Sequence, residues 1–454
     1  MQQLKKIQAD YLTAISAFLR IKGKNKCLLE SIPRDKSTGR YSIIAWDAVS
    51  EITCRGNRLT IDGQTTSIKD PLKEIEKYVL KEEELLIDLP FQGGAIGYVG
   101  YDVIACYENL GTIPFDELNV PDIHFYLFDS YLIFDHVSET ISLIEANTYS
   151  KRTEKQLEQA LQQKIKELET PSLEEQKTIK LNKLNYRSNF TKQTFKQTVR
   201  KIKDYIQQGD LFQMVPSQRL TADFTEEPFD YYRRLRVTNP STYLYFLDFG
   251  ETYVIGSSPE SLVSVKNQLV TTNPIAGTRK RGRTVEQDLS LEQELLNDEK
   301  ERAEHLMLID LGRNDIGKVS QTGSVEVPIY MTVEKYRFVM HLVSVVTGKL
   351  KTGLSAMDAL KATLPAGTVS GAPKIRAMQR IYELEPVKRG IYAGAVGYLS
   401  KNDQADFAIA IRTMVIHQKK AYVQAGAGIV YDSVPEKEYE ETLHKAKALL
   451  EVGG

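Results

Sequence analysis

The chain has 454 residues, 42% hydrophobic and 26% charged, with 59 Lys and Arg against 60 Asp and Glu for a net charge of −1. That length suits two to three domains or one large composite unit, and the composition is that of a folded globular protein. A near-neutral total offers no bulk attraction to nucleic acid or to a membrane surface, so neither is an expected partner.

Cys27, Cys54 and Cys106 are odd in number and lack CxxC spacing. They predict neither a disulfide framework nor a zinc site, and fit a reducing cytoplasm. The opening stretch MQQLKKIQADYLTAISAFLR has charges scattered through it and no apolar centre, so no signal peptide is expected. No apolar run approaches the roughly 20 residues that span a bilayer.

Up to about residue 145, runs rich in Tyr, Ile, Val and Phe alternate with Gly, Asn and Asp, as in RYSIIAWDAV, FQGGAIGYVGYD and HFYLFDSYLIFDHV. These predict strands and hairpins. Leu157, Leu161, Ile165 and Leu168 then recur at spacings of three and four, which predicts a helix. Residues 171–190 are polar and weakly patterned, and form the expected linker between an amino-terminal domain, 1–170, and a carboxy-terminal one, 191–454. Beyond it a helix stopping near Gly209 leads into strands, and a second helix is expected over about 286–311. IYAGAVGYLS, FAIAIRTMVI and KAYVQAGAGIVY then read as strands before a final helix, EKEYEETLHKAKALLEV. Without a regular βαβ repeat, the expected class is α+β.

Several constellations can carry chemistry. PIAGTRKRG, residues 274–282, joins a turn at Pro274 to Gly277-Thr278 and to the cations Arg279, Lys280 and Arg281, a group suited to an anion or to a solvated basic loop. Glu301 and Glu304, and again Glu438 and Glu441, lie three apart, so each pair shares one helix face; Lys445 shares the second. Two such helices facing each other would present oxygen donors to a hard cation such as Mg2+. From spacing alone, such pairs more often mark solvated faces. Gly426 and Gly428, around Ala427, sit between apolar strand residues, which predicts a bulge or a close approach of backbone to ligand. Arg412 falls within an alternating strand pattern, where its guanidinium needs a structural ion pair or a ligand carboxylate. His341, in FVMHLVSVV, reads as a core histidine or a site residue, and Thr368 precedes a helix start near Pro373.

Taken in this order, these stretches closely resemble the chorismate-utilising enzymes. The likeness is dense from FTKQTFKQTVRKIKDYIQQGDLFQMVPSQR to EYEETLHKAKALLE, and looser upstream in LLESIPRDKSTGRYSIIAWD and PFQGGAIGYVGYD. It implies a large sandwich of antiparallel sheets flanked by helices, with the active site in the carboxy-terminal domain. It implies that Glu304 and Glu441 ligate Mg2+ with Glu301 and Glu438 close by. Gly277, Thr278, Tyr392, Arg412, Gly426, Ala427, Gly428 and Lys445 would bind chorismate, Arg412 taking its enolpyruvyl carboxylate. His341 and Thr368 would line the pocket near the ring, and Glu260, in GSSPES, matches the position of a general acid.

Two departures separate the branches of the family. Members that make 4-amino-4-deoxychorismate carry a nucleophilic lysine where this chain has Ala276. Members that make isochorismate or salicylate use a lysine base where this chain has Gln213, and a carboxamide cannot deprotonate water. The resemblance therefore implies the anthranilate-forming branch: ammonia adds at C2, the C4 hydroxyl leaves, and pyruvate is eliminated. None of the three cysteines lies in a glutaminase-like context, so a separate glutamine amidotransferase subunit is the expected partner, in an assembly of two of each. In the family, tryptophan inhibits at an LLES motif, here ending in Ser31, and at a segment that reads NPSTYL here, with Thr242, Tyr243 and Leu244.

Overall fold

A computed structural model describes residues 1–31, 39–83, 88–179, 184–336 and 339–452. The 32–38 part of the amino-terminal motif and residues 180–183 of the linker lie outside the described residues. Among those described, the strands form an 11-stranded and a 12-stranded antiparallel sheet and a two-stranded pair.

Four layers follow from the faces these strands bury. Between the sheets lie Ile96, Tyr98, Phe128, Tyr245, Leu247 and Val396. The outer face of the 11-stranded sheet carries Leu28, Ile44, Phe246 and Val423, covered by Phe18, Leu161, Phe229, Leu235 and Leu449 from helices. The outer face of the 12-stranded sheet carries Ile52, Phe125 and Phe407, covered by Ile75, Ile309, Leu360 and Ile381. Each sheet is thus apolar on both faces, which is why its strands read as near-continuous apolar runs.

Strands from both sides of residues 171–190 are woven into both sheets. Cys27–Ser31 pairs with Tyr243–Asp248 in one, and Gly94–Val99 pairs with Ala395–Ser400 in the other. The stretches 1–170 and 191–454 are therefore divisions of the chain, not of the sheets. Strand pairing is settled by hydrogen-bond partners across space, and a polar linker in the sequence carries no record of it.

The predicted helix before Gly209 is Lys192–Gln207, capped by Thr191, and Gly209 adopts φ 77° just beyond it. The single helix expected over 286–311 is instead two, Val285–Asn297 and Glu299–Gly317. Asp298 makes the break, because its carboxylate accepts from the N–H groups of Lys300 (3.0 Å) and Glu301 (3.1 Å) and starts a new helix there. This fixes Glu301 and Glu304 in the opening turns of the second helix.

Candidate active site

Two of the places where the chain leaves one sheet and enters the other lie side by side. Thr252–Ser258 runs through Pro259 and Glu260 into Ser261–Lys266, and Ala405–Ile409 runs through Ala410, Ile411 and Arg412 into Thr413–His417. The crossings are stitched together: Ile409 N–H donates to the Glu260 carbonyl (3.0 Å) and Ser257 N–H donates to the Arg412 carbonyl (3.0 Å). Strands that switch sheets must bend. Arg412 is accordingly not mid-strand, as its alternating neighbours predict, but sits at a left-handed position, φ 47°, with its side chain exposed. Among the described residues its guanidinium has no ion-pair partner, and the nearby opposite charge is Glu260.

Glu260 points into a cleft with about 420 Å³ of empty space, part of it open to solvent, shared with Thr368, Asn273 and Asp315. Removal from water disfavours its charged form and raises the carboxyl to about 7, against the opposing influence of Thr368, Lys445 and Arg412. Thr368, in the short turn Gly367–Val369, presents a buried hydroxyl to this carboxyl, and among the described residues that hydroxyl has no other hydrogen-bond partner. A carboxyl balanced near neutrality can give up a proton or accept one at ordinary pH.

The PIAGT motif forms a β-bulge. Ala276 pairs with Leu342 and Arg279 with Met340, so Gly277 and Thr278 together oppose His341 alone. Gly277 takes φ 65°, and a Cβ there would lie 2.9 Å from Leu295 Cδ1 and 3.3 Å from Glu301 Oε2. Both conformation and crowding demand glycine. His341 Nδ1 is 2.8 Å from the Gly277 carbonyl and 3.1 Å from Thr278 Oγ1. The motif's arginines face away from any ligand role. Arg279 pairs with Glu294, Asp298 and Glu301, and Arg281 with Asp288. They are consumed in holding the two acidic helices against the bulge.

The carboxylate pairs come from two helices, Glu299–Gly317 and Pro435–Leu450, near enough that Lys300 and Lys445 act electrostatically on both. Burial, and then the Glu301 charge, raise Glu304; burial, then Glu441, raise Glu438, with Ser433, Lys445 and Lys300 pulling the other way. Glu441 is 2.7 Å from Lys445, whose ammonium also donates to the Gly426 carbonyl (3.1 Å). An all-oxygen donor set whose desolvated members face like charges fits a hard divalent cation. Among the described residues, however, no three acidic, histidine or cysteine side chains are gathered closely enough to count as a metal cluster.

Gln213 links the glutamates to the glycines. Its carboxamide nitrogen lies 3.4 Å from Glu304 Oε1, and a Cβ on Gly428 would meet that nitrogen at 2.9 Å. Gly426 ends its strand in register with Ser217, so the run is no bulge; a Cβ there would lie 2.7 Å from the Pro216 carbonyl and 3.0 Å from the Tyr392 hydroxyl. Ala427, fully buried between the glycines, donates its N–H to the same carbonyl (3.2 Å).

A family model described as chorismate binding enzyme matches residues 25–451. The chain belongs to the chorismate binding enzyme family. It is 55% identical over 455 residues to anthranilate synthase component 1 of Lactococcus lactis, covering 100% of both chains. Its structure is similar to that of anthranilate synthase component I from Streptococcus pneumoniae, with a TM-score of 0.87 and 52% identity over 98% of each chain. The menaquinone-specific isochorismate synthase of Escherichia coli, at 20% identity and a TM-score of 0.74 over 100% of this chain and 95% of that one, shares the fold.

In this chorismate binding enzyme the two segments of the expected inhibitor site are neighbours, since Ser31 pairs with Tyr243 across adjacent strands. Tyr243 faces the space between the sheets, where its hydroxyl donates to Asp406 (3.1 Å). Leu244 points the other way and is 1% exposed within the outer core, so its side chain cannot reach a ligand beside Tyr243. Thr242 lies just outside the strand, one residue before Tyr243. Sequence reasoning missed Asn273, which lines the Glu260 cleft and whose buried Oδ1 has no hydrogen-bond partner among the described residues. Its only signal was a polar side chain directly preceding the turn at Pro274.

Proposed function

We infer that this chain is the chorismate-converting component of an anthranilate synthase, acting with ammonia. One observation carries the choice among family reactions: the site offers no nucleophile or base where the alternatives need one. Ala276 stands at the edge of the bulge, and Gln213, not a lysine, lies between Glu304 and Gly428. Lys445 is committed to Glu441 and the Gly426 carbonyl. The nucleophile must then arrive from outside, and ammonia attacking C2 while the C4–O bond breaks gives an aminated ring and water; loss of pyruvate then gives anthranilate. The reaction class is a lyase.

Arg412 is suited to hold the enolpyruvyl carboxylate by two parallel hydrogen bonds. Glu260 is suited to protonate the departing C4 hydroxyl, which is a poor leaving group without a proton. Gly277, Thr278, Tyr392 and the Gly426–Gly428 backbone would cradle the substrate, with His341 and Thr368 at its ring. Glu304 and Glu441, with Glu301 and Glu438 beside them, would hold Mg2+, which when bound withdraws charge from the ring carboxylate as a Lewis acid. Tryptophan would inhibit between Ser31, in the stretch 1–170 that serves regulation, and Tyr243, in the stretch 191–454 that serves catalysis. A cytoplasmic location is supported by three unpaired cysteines. Among the described residues no helix is long and apolar enough to cross a membrane.

Ammonia is expected from a glutaminase partner, two of each chain assembling together. Cys27 and Cys54 are buried and their thiols are pushed up by that burial, the latter to about 12, the reverse of what a nucleophilic cysteine needs. Incubated alone with chorismate and Mg2+, the chain should form anthranilate from ammonium and nothing from glutamine. Chromatography yielding 4-amino-4-deoxychorismate, isochorismate or salicylate would overturn the assignment.

A further inference from the structure

Arg389 and Glu385 form an ion pair in the interior, 1% and 5% exposed. Glu385 ends the Lys374–Leu384 helix, and the two oxygens of its carboxylate lie 2.6 Å from Arg389 Nη2 and 2.9 Å from Nε. The remaining hydrogen bonds of the two charged side chains go to backbone and side chains that border the candidate site. Arg389 Nη2 donates to the Val215 carbonyl (2.6 Å) and Nη1 to the Val369 carbonyl (2.7 Å). Glu385 Oε1 accepts from both the N–H and the hydroxyl of Ser217 (2.8 Å each), and that hydroxyl accepts from Gln424 (2.8 Å). The guanidinium also stands over two rings, 4.6 Å from the centre of Tyr101, outside the site, and 5.5 Å from that of Tyr392, both cation–π distances.

Each attachment lies within a few residues of a separate site group. Val215 is two residues from Gln213, Val369 follows Thr368, and Ser217 pairs with Gly426 across the sheet. Three segments distant in sequence, around residues 215–217, Val369 and, through Ser217, Gln424, therefore converge on one planar, five-donor guanidinium and its carboxylate. A buried ion pair is weak evidence for stability, since its desolvation offsets most of its attraction. Its reach into all three segments is what calls for an explanation.

We propose that the Arg389–Glu385 pair is a positioning device that sets Gln213, Thr368, Tyr392 and Gly426 at mutual distances fit for the substrate. The proposal rests on the reading of that site as the chorismate site. Arg389 touches no reacting atom; it acts through the carbonyls of Val215 and Val369 and through Ser217. Lysine keeps the charge but loses the fixed fork that spans two carbonyls and a carboxylate.

The test is Arg389→Lys, with Glu385→Gln as a second variant should the first not fold. Chorismate affinity is measured by calorimetric titration, and KM and kcat are measured with ammonium, well below the unfolding midpoint. The titration of the native chain comes first, and absent binding there counts against the chorismate reading itself. Given native binding, the proposal expects a folded variant with at least a tenfold rise in Kd and KM for chorismate. A lowered melting temperature with native Kd, KM and kcat per folded molecule would reduce the pair to a structural role and overturn it.

Discussion

Arg412 is exposed, without an ion pair among the described residues, and fixed at a left-handed turn whose carbonyl is held by Ser257. A guanidinium so placed has its hydrogen-bonding capacity in reserve, and bonds of this kind to a charged partner are worth about 1.5–3 kcal/mol. Replacing it by alanine should lower kcat/KM for chorismate by roughly ten- to 150-fold at that energy, with Arg412→Lys recovering only part because the fork is lost. Steady-state kinetics on folded variants decide it, and an unchanged kcat/KM would remove Arg412 from the site. At this scale the sequence was partly legible. The need for a partner could be read from Arg412, but the alternation of FAIAIRTMVI hid the turn, because a bend between sheets leaves no mark on period-two patterning. Arg389 and Glu385 were harder still, since Pro386 ends the helix at Glu385 and nothing in the spacing shows that the two side chains meet. Leu244 shows the converse limit: the motif named it, while its position in the strand sends its side chain into the core.

The bulge at Gly277-Thr278 is the element that turns a two-residue sequence signal into a site. It faces His341 because two residues oppose one, and only glycine tolerates both φ 65° and the contact with Leu295. Gly277→Ala should cost about 1–2 kcal/mol from the left-handed backbone alone, and should also displace the carbonyl that holds His341. Gly209→Ala is the control, since it shares a positive φ, 77°, but a Cβ there meets nothing within 4 Å. Thermal unfolding and kinetics together should find stability lost in both variants and activity lost only in Gly277→Ala. Equal activity in the two would separate the bulge from the chemistry. The paired glutamates illustrate how elements add what spacing lacks. Glu at i, i+3 suits any exposed helix, and it took the capping of a second helix by Asp298 to put Glu301 and Glu304 where Lys300 and Lys445 act on both pairs.

At the scale of the molecule, the site exists because two sheets built from both halves of the chain are joined at neighbouring crossings. The fold class was legible in strand-rich runs without a βαβ repeat, whereas the interweaving of the halves was not, because pairing between distant strands is settled only in space. Glu260 is the residue that most depends on this whole arrangement. Its carboxyl is raised to about 7 because the crossings bury it, with Thr368, Lys445 and Arg412 limiting the rise. A general acid must enter the reaction protonated, so activity should be full below that value and fall as pH climbs through it. The most direct measurement is therefore kcat/KM for chorismate against pH, for the native chain and for Glu260→Gln, with free ammonia held constant at each pH. The expected result is an alkaline limb near pH 7 in the native chain, absent from a folded Glu260→Gln variant slowed by about 10²–10⁴-fold. A variant with native rates, or the same limb in both proteins, would contradict the role given to Glu260 and the site built around it.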